Sequence, residues 1–254
     1  LDGRPIIREA TLAEYRKRPD AGNEIHKEIE KKHVSLYDEP KYDGFHWGLS
    51  VDLNSCTGCG ACLIACQAEN NIPVVGKTEV AKSRIMHWIR IDRYYTGNPE
   101  KPDVVHQPVM CMHCDNAPCE NVCPVSATPH NNEGLNQVAY TRCIGTKYCI
   151  NNCPYKVRKF NWFQYAQNPK FDYNANSDLG RLVLNPDVTV RERGVVEKCS
   201  FCSQRIQEKK LQAKLENRVL DGAEVQPACV QSCPAKALVF GDLNNAGNEV
   251  VKLS

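Results

Sequence analysis

The residues most able to do chemistry in this sequence are its fifteen cysteines, which fall in four groups. The first, Cys56, Cys59, Cys62 and Cys66, has the frame C-x2-C-x2-C-x3-C. The second, Cys111, Cys114, Cys119 and Cys123, widens the middle gap to four residues and runs into Pro124. The third, Cys143, Cys149 and Cys153 before Pro154, fits the first frame without a gap if Thr146 takes the second position. The fourth, Cys199, Cys202, Cys229 and Cys233 before Pro234, opens its middle gap into an insertion of 26 residues. An odd total rules out complete internal disulfide pairing, and clustering of this kind is ligand spacing rather than the scattered placement of disulfide staples.

An iron–sulfur cube takes one thiolate per iron. A C-x2-C-x2-C loop can turn three sulfurs onto three corners, and the fourth must arrive from elsewhere in the chain. In two-cluster ferredoxins the last cysteine of each run ligates the other cluster, so runs work in pairs. Four groups therefore predict two ferredoxin-like units and four clusters. The hydroxyl of Thr146 is a poor iron ligand beside a thiolate, so the expected set is three 4Fe-4S clusters and one 3Fe-4S cluster, with Thr146 facing the vacant corner. A 4Fe-4S cluster with a water or serine-like oxygen on its fourth iron is the other reading of group three. Zinc also uses C-x2-C pairs, but it needs two separated pairs per ion, whereas three groups here carry further cysteines at close spacing and three end in Cys-Pro.

Arg142, Lys147, Lys156, Arg158 and Lys159 surround group three. They read as a solvated basic surface, or as cations that raise a cluster's potential by offsetting its negative charge. His113, between Cys111 and Cys114, is either structural, a donor to cluster sulfur, or a proton carrier near a quinone. Trp162, Phe163 and Tyr165 read as core, with a docking surface as the other option. No nucleophile–base pairing, Gly-rich phosphate loop or paired-carboxylate site rises above background. The implied chemistry is electron transfer, supplied by cofactors whose spacing and potential the protein sets.

The elements that must position these groups are short. Residues 1–48 form a polar extension without cysteine, in which Glu24, Lys27, Glu28, Lys31 and Lys32 stand at helical spacing. Residues 49–53 and 85–95 read as strands. In the insertion, Ile206, Leu211, Leu215 and Val219 predict a surface helix with one apolar stripe, and residues 168–187 read as loop. Residues 49–243 make up the cysteine-bearing domain and residues 244–254 a tail. The fold class expected is α+β, two interlocked ferredoxin-like units with long loops. A net charge of +2 gives no field to suggest nucleic acid as a partner. No stretch of about 18 apolar residues is present to span a bilayer. A start without methionine or an apolar export segment reads as a portion of a longer polypeptide.

The run Cys56-Thr57-Gly58-Cys59-Gly60-Ala61-Cys62, leading into Ala65-Cys66-Gln67-Ala68-Glu69-Asn70, and the order of the four groups resemble the four-cluster subunits of membrane-associated molybdopterin oxidoreductases, such as the polysulfide, dimethyl sulfoxide, nitrate and formate enzymes. The resemblance covers residues from about 48 to 243. The missing second ligand of group three, with the continuing start, is most similar to the iron–sulfur part of the large subunit of alternative complex III. That resemblance implies a relay from quinol to cytochrome c or an oxidase. It also implies an upstream molybdopterin-enzyme-like domain, a multi-helix quinol-binding membrane subunit, haem c subunits, and a place on the periplasmic face of the bacterial inner membrane; the sequence itself leaves the membrane side open. It further implies pairing of group one with four and of two with three. Cys56, Cys59, Cys62 and Cys233 then hold one cluster, and Cys199, Cys202, Cys229 and Cys66 a second. Cys111, Cys114, Cys119 and Cys153 hold a third, and Cys143, Cys149 and Cys123 the 3Fe-4S cluster, the one nearest quinol in similar proteins. Gln67 departs from the proline found after the other groups, as the family's first group commonly does. The rivals are the electron-transfer subunit of a catalytic molybdenum enzyme and, from another class, a zinc-dependent structural or nucleic-acid-binding module.

Overall fold

Fifteen glycines and fifteen prolines interrupt the chain often enough to keep its elements short. A computed structural model describes residues 7–23, 38–171 and 177–253. The helically spaced charges from Glu24 to Lys32 lie outside the described residues. In chain order the elements are α1 (Leu12–Lys17), β1 (Trp47–Val51), α2 (Ala61–Glu69), α3 (Gly76–Ala81), β2 (Arg90–Asn98), β3 (Lys101–Val109), α4 (Pro118–Asn121), α5 (Tyr148–Asn152), β4 (Lys159–Phe160), α6 (Asp178–Arg181), β5 (Val196–Glu197), α7 (Ser203–Leu215), α8 (Ala228–Gln231), β6 (Leu238–Asp242) and α9 (Glu249–Leu253). The fold is a mixture of small α and β elements, and among the described residues no helix is long and apolar enough to cross a membrane.

Two compact units divide the chain, Leu1–Pro40 with Arg93–Val105, and Lys41–Asp92 with His106–Ser254. In the first, Thr11 and Glu14 form a reciprocal capping box that starts α1, and Arg16 and Lys17 sit in its last turn, where the helix dipole favours cations. All fifteen cysteines belong to the second unit.

In that second unit, β1 and β6 pair antiparallel from Trp47↔Asp242 to Val51↔Leu238, closing the two ends of the domain on each other. Aromatic packing seals this closure: Trp47 stacks between Phe45 and Phe240 with centroids at 4.7 and 5.4 Å, and Phe201 meets Phe240 edge-on at 5.2 Å. Ile72, Met86, Trp88, Ile89, Val109, Leu135 and Ile206 complete an apolar core that also contains buried cysteines from all four groups. Within residues 244–254, α9 packs on β6 through the buried Val250.

Four sequence expectations shift. The first strand ends at Val51 rather than Leu53, because Asp52 accepts from the Asn54 and Ser55 amides and turns the chain toward Cys56. The second runs Arg90–Asn98; Met86, Trp88 and Ile89 before it are a buried loop, whose apolar residues imitate a strand pattern. The helix in the insertion is present, but its stripe is not buried. Ile206 and Ala213 face inward, whereas Leu211, Leu215 and Val219 are exposed, Val219 lying past the helix end. The segment read as loop contains α6, capped by Ser177.

Gly58 requires its glycine: φ is +68°, and a Cβ there would lie 2.5 Å from His106 Nδ1. Gly58→Ala is expected to cost about 2 kcal/mol or more through left-handed strain and the clash. Anaerobic thermal unfolding of the variant checks this, and an unchanged midpoint would contradict it.

Candidate metal centres

The same local design recurs in all four cysteine groups. The residue two after the first cysteine is left-handed each time: Gly58 (+68°), His113 (+46°), Gly145 (+75°) and Phe201 (+52°). This residue reverses the backbone so that following amides face the loop's hollow, as Phe201 N–H does in donating to Cys199 Sγ at 3.4 Å. The cysteine at the third position of the frame is the second residue of a short helix each time: Cys62 in α2, Cys119 in α4, Cys149 in α5 and Cys229 in α8. A helix N-terminus favours a thiolate there. Group three keeps both features although Thr146 replaces a cysteine, and Thr146 is exposed, as Cys59 is at the matching place. Gly145 is left-handed and packs on the Gly194 carbonyl so closely that no side chain fits.

The last cysteines of groups two, three and four share a turn as well. In Cys123–Ser126, Cys153–Lys156 and Cys233–Lys236 a proline follows the cysteine, the fourth residue is left-handed (+47°, +54° and +51°), and its amide donates to the cysteine carbonyl. Ala127 and Ala237 then donate to Cys123 Sγ and Cys233 Sγ at 3.2 and 3.3 Å.

Distant stretches converge through these turns. Cys56, Cys59, Cys62 and Cys233 line one small cavity. Cys111, Cys114, Cys119 and Cys153 line a second. Cys66, Cys199, Cys202 and Cys229 are all buried together. Burial holds the Cys66 thiol well above its ordinary range, and the other three push the same way. Asn70 Nδ2 reaches Cys66 Sγ and Cys202 Sγ at 3.7 and 3.6 Å. Burial also raises Cys149, with Cys119 and Cys143 adding to it and Arg158 opposing. Cys143 Sγ accepts from Val196 N–H at 3.4 Å, and α4, which leads into Cys123, packs on α5. Neighbouring sets lie beside one another: α2, with Cys62, packs on α8, with Cys229, and α4, with Cys119, packs on α5, with Cys149, while Cys111 raises the Cys199 thiol.

The charges around these sets fit anionic inorganic cores. Arg158 is 3% and Lys198 2% exposed, and among the described residues neither pairs with a carboxylate. Arg158 Nη2 donates to Cys119 Sγ at 3.0 Å and to Asn136 Oδ1 at 2.6 Å, and Lys198 Nζ donates to the Cys199 carbonyl at 2.8 Å. His113 is buried against Phe201, centroids 4.1 Å apart, with neither ring nitrogen partnered. Isolated buried cations and orphaned donors are strongly unfavourable, so this arrangement calls for negative charge and acceptors within the cysteine sets. Among the described residues no three His, Cys, Asp or Glu side chains converge closely enough for a single ion.

Sequence reasoning placed the cysteines but misjudged some neighbours. Arg158 is buried, not a solvated surface residue, whereas Arg142 and Lys156 are exposed and Lys147 Nζ lies 4.2 Å over the Trp162 ring. Tyr165 is core, and Trp162 is 37% exposed. Asn70, Asn136 and Lys198 were missed; adjacency to Cys199 was the one signal for Lys198.

The chain matches two families described as 4Fe-4S dicluster domains, one over residues 55–127 and the other over residues 102–172. It is similar to the menaquinone reductase iron–sulfur cluster-binding subunit of Nitratidesulfovibrio vulgaris, 42% identical over 214 residues that are 82% of this chain and 79% of that protein. It is 34% identical to a Halobacterium salinarum protein named as a dimethyl sulfoxide reductase iron–sulfur subunit, covering 82% of this chain and 70% of the relative. A menaquinol oxidoreductase iron–sulfur subunit of Archaeoglobus fulgidus, named as Hdr-like, is 33% identical over 82% of this chain and 74% of its own length.

Removal of iron anaerobically with a chelator is expected to abolish cooperative unfolding, because the cavities then hold only thiols. Reconstitution is expected to release protons and to proceed further at alkaline pH, since burial raises Cys62, Cys66, Cys119 and Cys149 alike. Circular dichroism and proton release check both; a chelated chain that keeps its full melting transition would contradict the first.

Proposed function

Since the chain belongs to the wider family of iron–sulfur electron-transfer subunits, we propose that it is a four-centre electron relay within a quinone-linked respiratory complex. The packing of neighbouring cysteine sets against one another carries this reading. Cys56, Cys59, Cys62 and Cys233 hold the first 4Fe-4S cluster. Cys66, Cys199, Cys202 and Cys229 hold the second, and Cys111, Cys114, Cys119 and Cys153 the third. Cys143, Cys149 and Cys123 hold a 3Fe-4S cluster, with Thr146 at its vacant corner. The last cysteine of each group crosses to its partner group, which interlocks two ferredoxin-like units within residues 49–243. The bound clusters supply one-electron oxidation and reduction.

The protein fixes where electrons enter and leave. The second set is buried throughout, while the first reaches the surface at Cys59 and the fourth at Thr146. Ile144, Tyr148 and Trp162 are 66%, 54% and 37% exposed around the fourth set. This apolar rim suits docking on a multi-helix membrane subunit that oxidises quinol, with electrons leaving toward the first set. The complex is alternative complex III on the periplasmic face of the inner membrane, with an upstream molybdopterin-enzyme-like domain that lacks the cofactor and haem c subunits that pass electrons on to cytochrome c or an oxidase. The relative named for dimethyl sulfoxide reductase favours a second reading, an electron-transfer subunit of a catalytic reductase of the molybdopterin type that the sequence resembles. Molybdenum analysis of the intact complex separates the two: none supports the first, a stoichiometric amount the second.

Thr146→Cys supplies the missing thiolate. The oxidised wild-type protein is expected to give a 3Fe-4S electron paramagnetic resonance signal, and the variant to lose it as the fourth set takes up another iron. Wild type without that signal would overturn the assignment of the fourth set.

A further inference from the structure

Two buried arginines occupy contrasting settings in the cysteine-bearing unit. Arg191 pairs with the buried carboxylate of Glu197 and also donates to the Asn70 and Thr189 carbonyls, both at 2.7 Å. Arg158 is as deeply buried and has no carboxylate among the described residues. Its Nη2 is committed to Cys119 Sγ at 3.0 Å and Asn136 Oδ1 at 2.6 Å, and its Nη1 is buried without a partner. A guanidinium is always charged, so it cannot escape the burial penalty by losing a proton. Its compensating charge must come from what surrounds it.

The surroundings belong to two sets at once. Cys119, which accepts from the guanidinium, lies in the third set, and Arg158 also lines a cavity with Thr146, Lys147 and Ile150, the residues on either side of Cys149 in the fourth. The other buried cation without a carboxylate among the described residues, Lys198, donates to the carbonyl of Cys199 in the second set. Arg158 is therefore the buried cation whose field falls on the third and fourth sets together.

We propose that Arg158 is a positioning residue shared by the third and fourth centres, a single counter-cation that raises both of their reduction potentials and leaves the first and second little changed. Adding an electron makes a cluster more negative, so a fixed cation nearby favours the reduced form. Asn136 orients the guanidinium and carries no charge of its own, which leaves the full positive charge directed at the two sets. The inference rests on the ligand sets assigned above.

The test uses the intact complex, with iron and acid-labile sulfide measured in every sample and potentials followed by electron paramagnetic resonance. Asn136→Asp places a carboxylate against the guanidinium at nearly unchanged volume, and Arg158→Gln removes the charge. In either variant two of the four midpoints, one being that of the 3Fe-4S signal, are expected to fall, with the ratio of reduced to oxidised centre at fixed potential dropping tenfold or more. For a one-electron couple that is about 59 mV. The other two midpoints stay in place, and Arg158→Lys keeps all four close to wild type. Full iron and sulfide with no midpoint moved, or with all four moved equally, would overturn the role of Arg158. Absence of sulfide from the wild type would instead overturn the ligand sets. Should Arg158→Gln fail to assemble, the near-isosteric Asn136→Asp decides.

Discussion

The convergence of sulfur atoms from distant parts of the chain is the constraint on which everything else in the cysteine-bearing unit depends. Its β1–β6 and β4–β5 sheets have two strands each, its longest described helix has 13 residues, and much of its interior is loop. Two-stranded sheets are marginal in water without further support. Cysteines occupy interior positions that hydrocarbon side chains would fill in an ordinary domain. Metal–thiolate bonding contributes on the order of 10 kcal/mol per site in small metal-dependent domains, comparable with the whole net stability of a folded protein. On that scale the bonds at the cysteine sets outweigh any one sheet or helix.

Electrostatics follows from the same constraint. Buried Arg191 is neutralised by Glu197 and ties the end of α2 to the segment before β5 through the Asn70 and Thr189 carbonyls. That is a structural pair, charge balanced within the protein. Arg158, Lys198 and His113 lack such partners and stand against the cysteine sets instead. The buried cations thus divide into one neutralised within the protein and two that stand against the cysteine sets.

The cysteine frames were legible in the sequence because ligation depends on residue type and short spacing, both of which survive without tertiary information. The gap at Thr146 was legible for the same reason, and the left-handed Gly145 and helix-borne Cys149 around it keep the shape of a cysteine group. Which groups pair was not readable from spacing, since it depends on β1 meeting β6 and on α2 packing against α8. Burial was the other blind spot. Arg158 stands between the exposed Lys156 and the half-buried Lys159, and nothing in the spacing marks it as the one that is fully buried. Leu211, Leu215 and Val219 show the converse: apolar residues at helical spacing remain exposed because the chain places only Ile206 and Ala213 of α7 against the core.

The account is tested most directly by counting iron and inorganic sulfide in anaerobically purified protein. Three 4Fe-4S clusters and one 3Fe-4S cluster require about 15 iron and about 16 sulfide ions per chain. Zinc in their place, or iron without acid-labile sulfide, would contradict it.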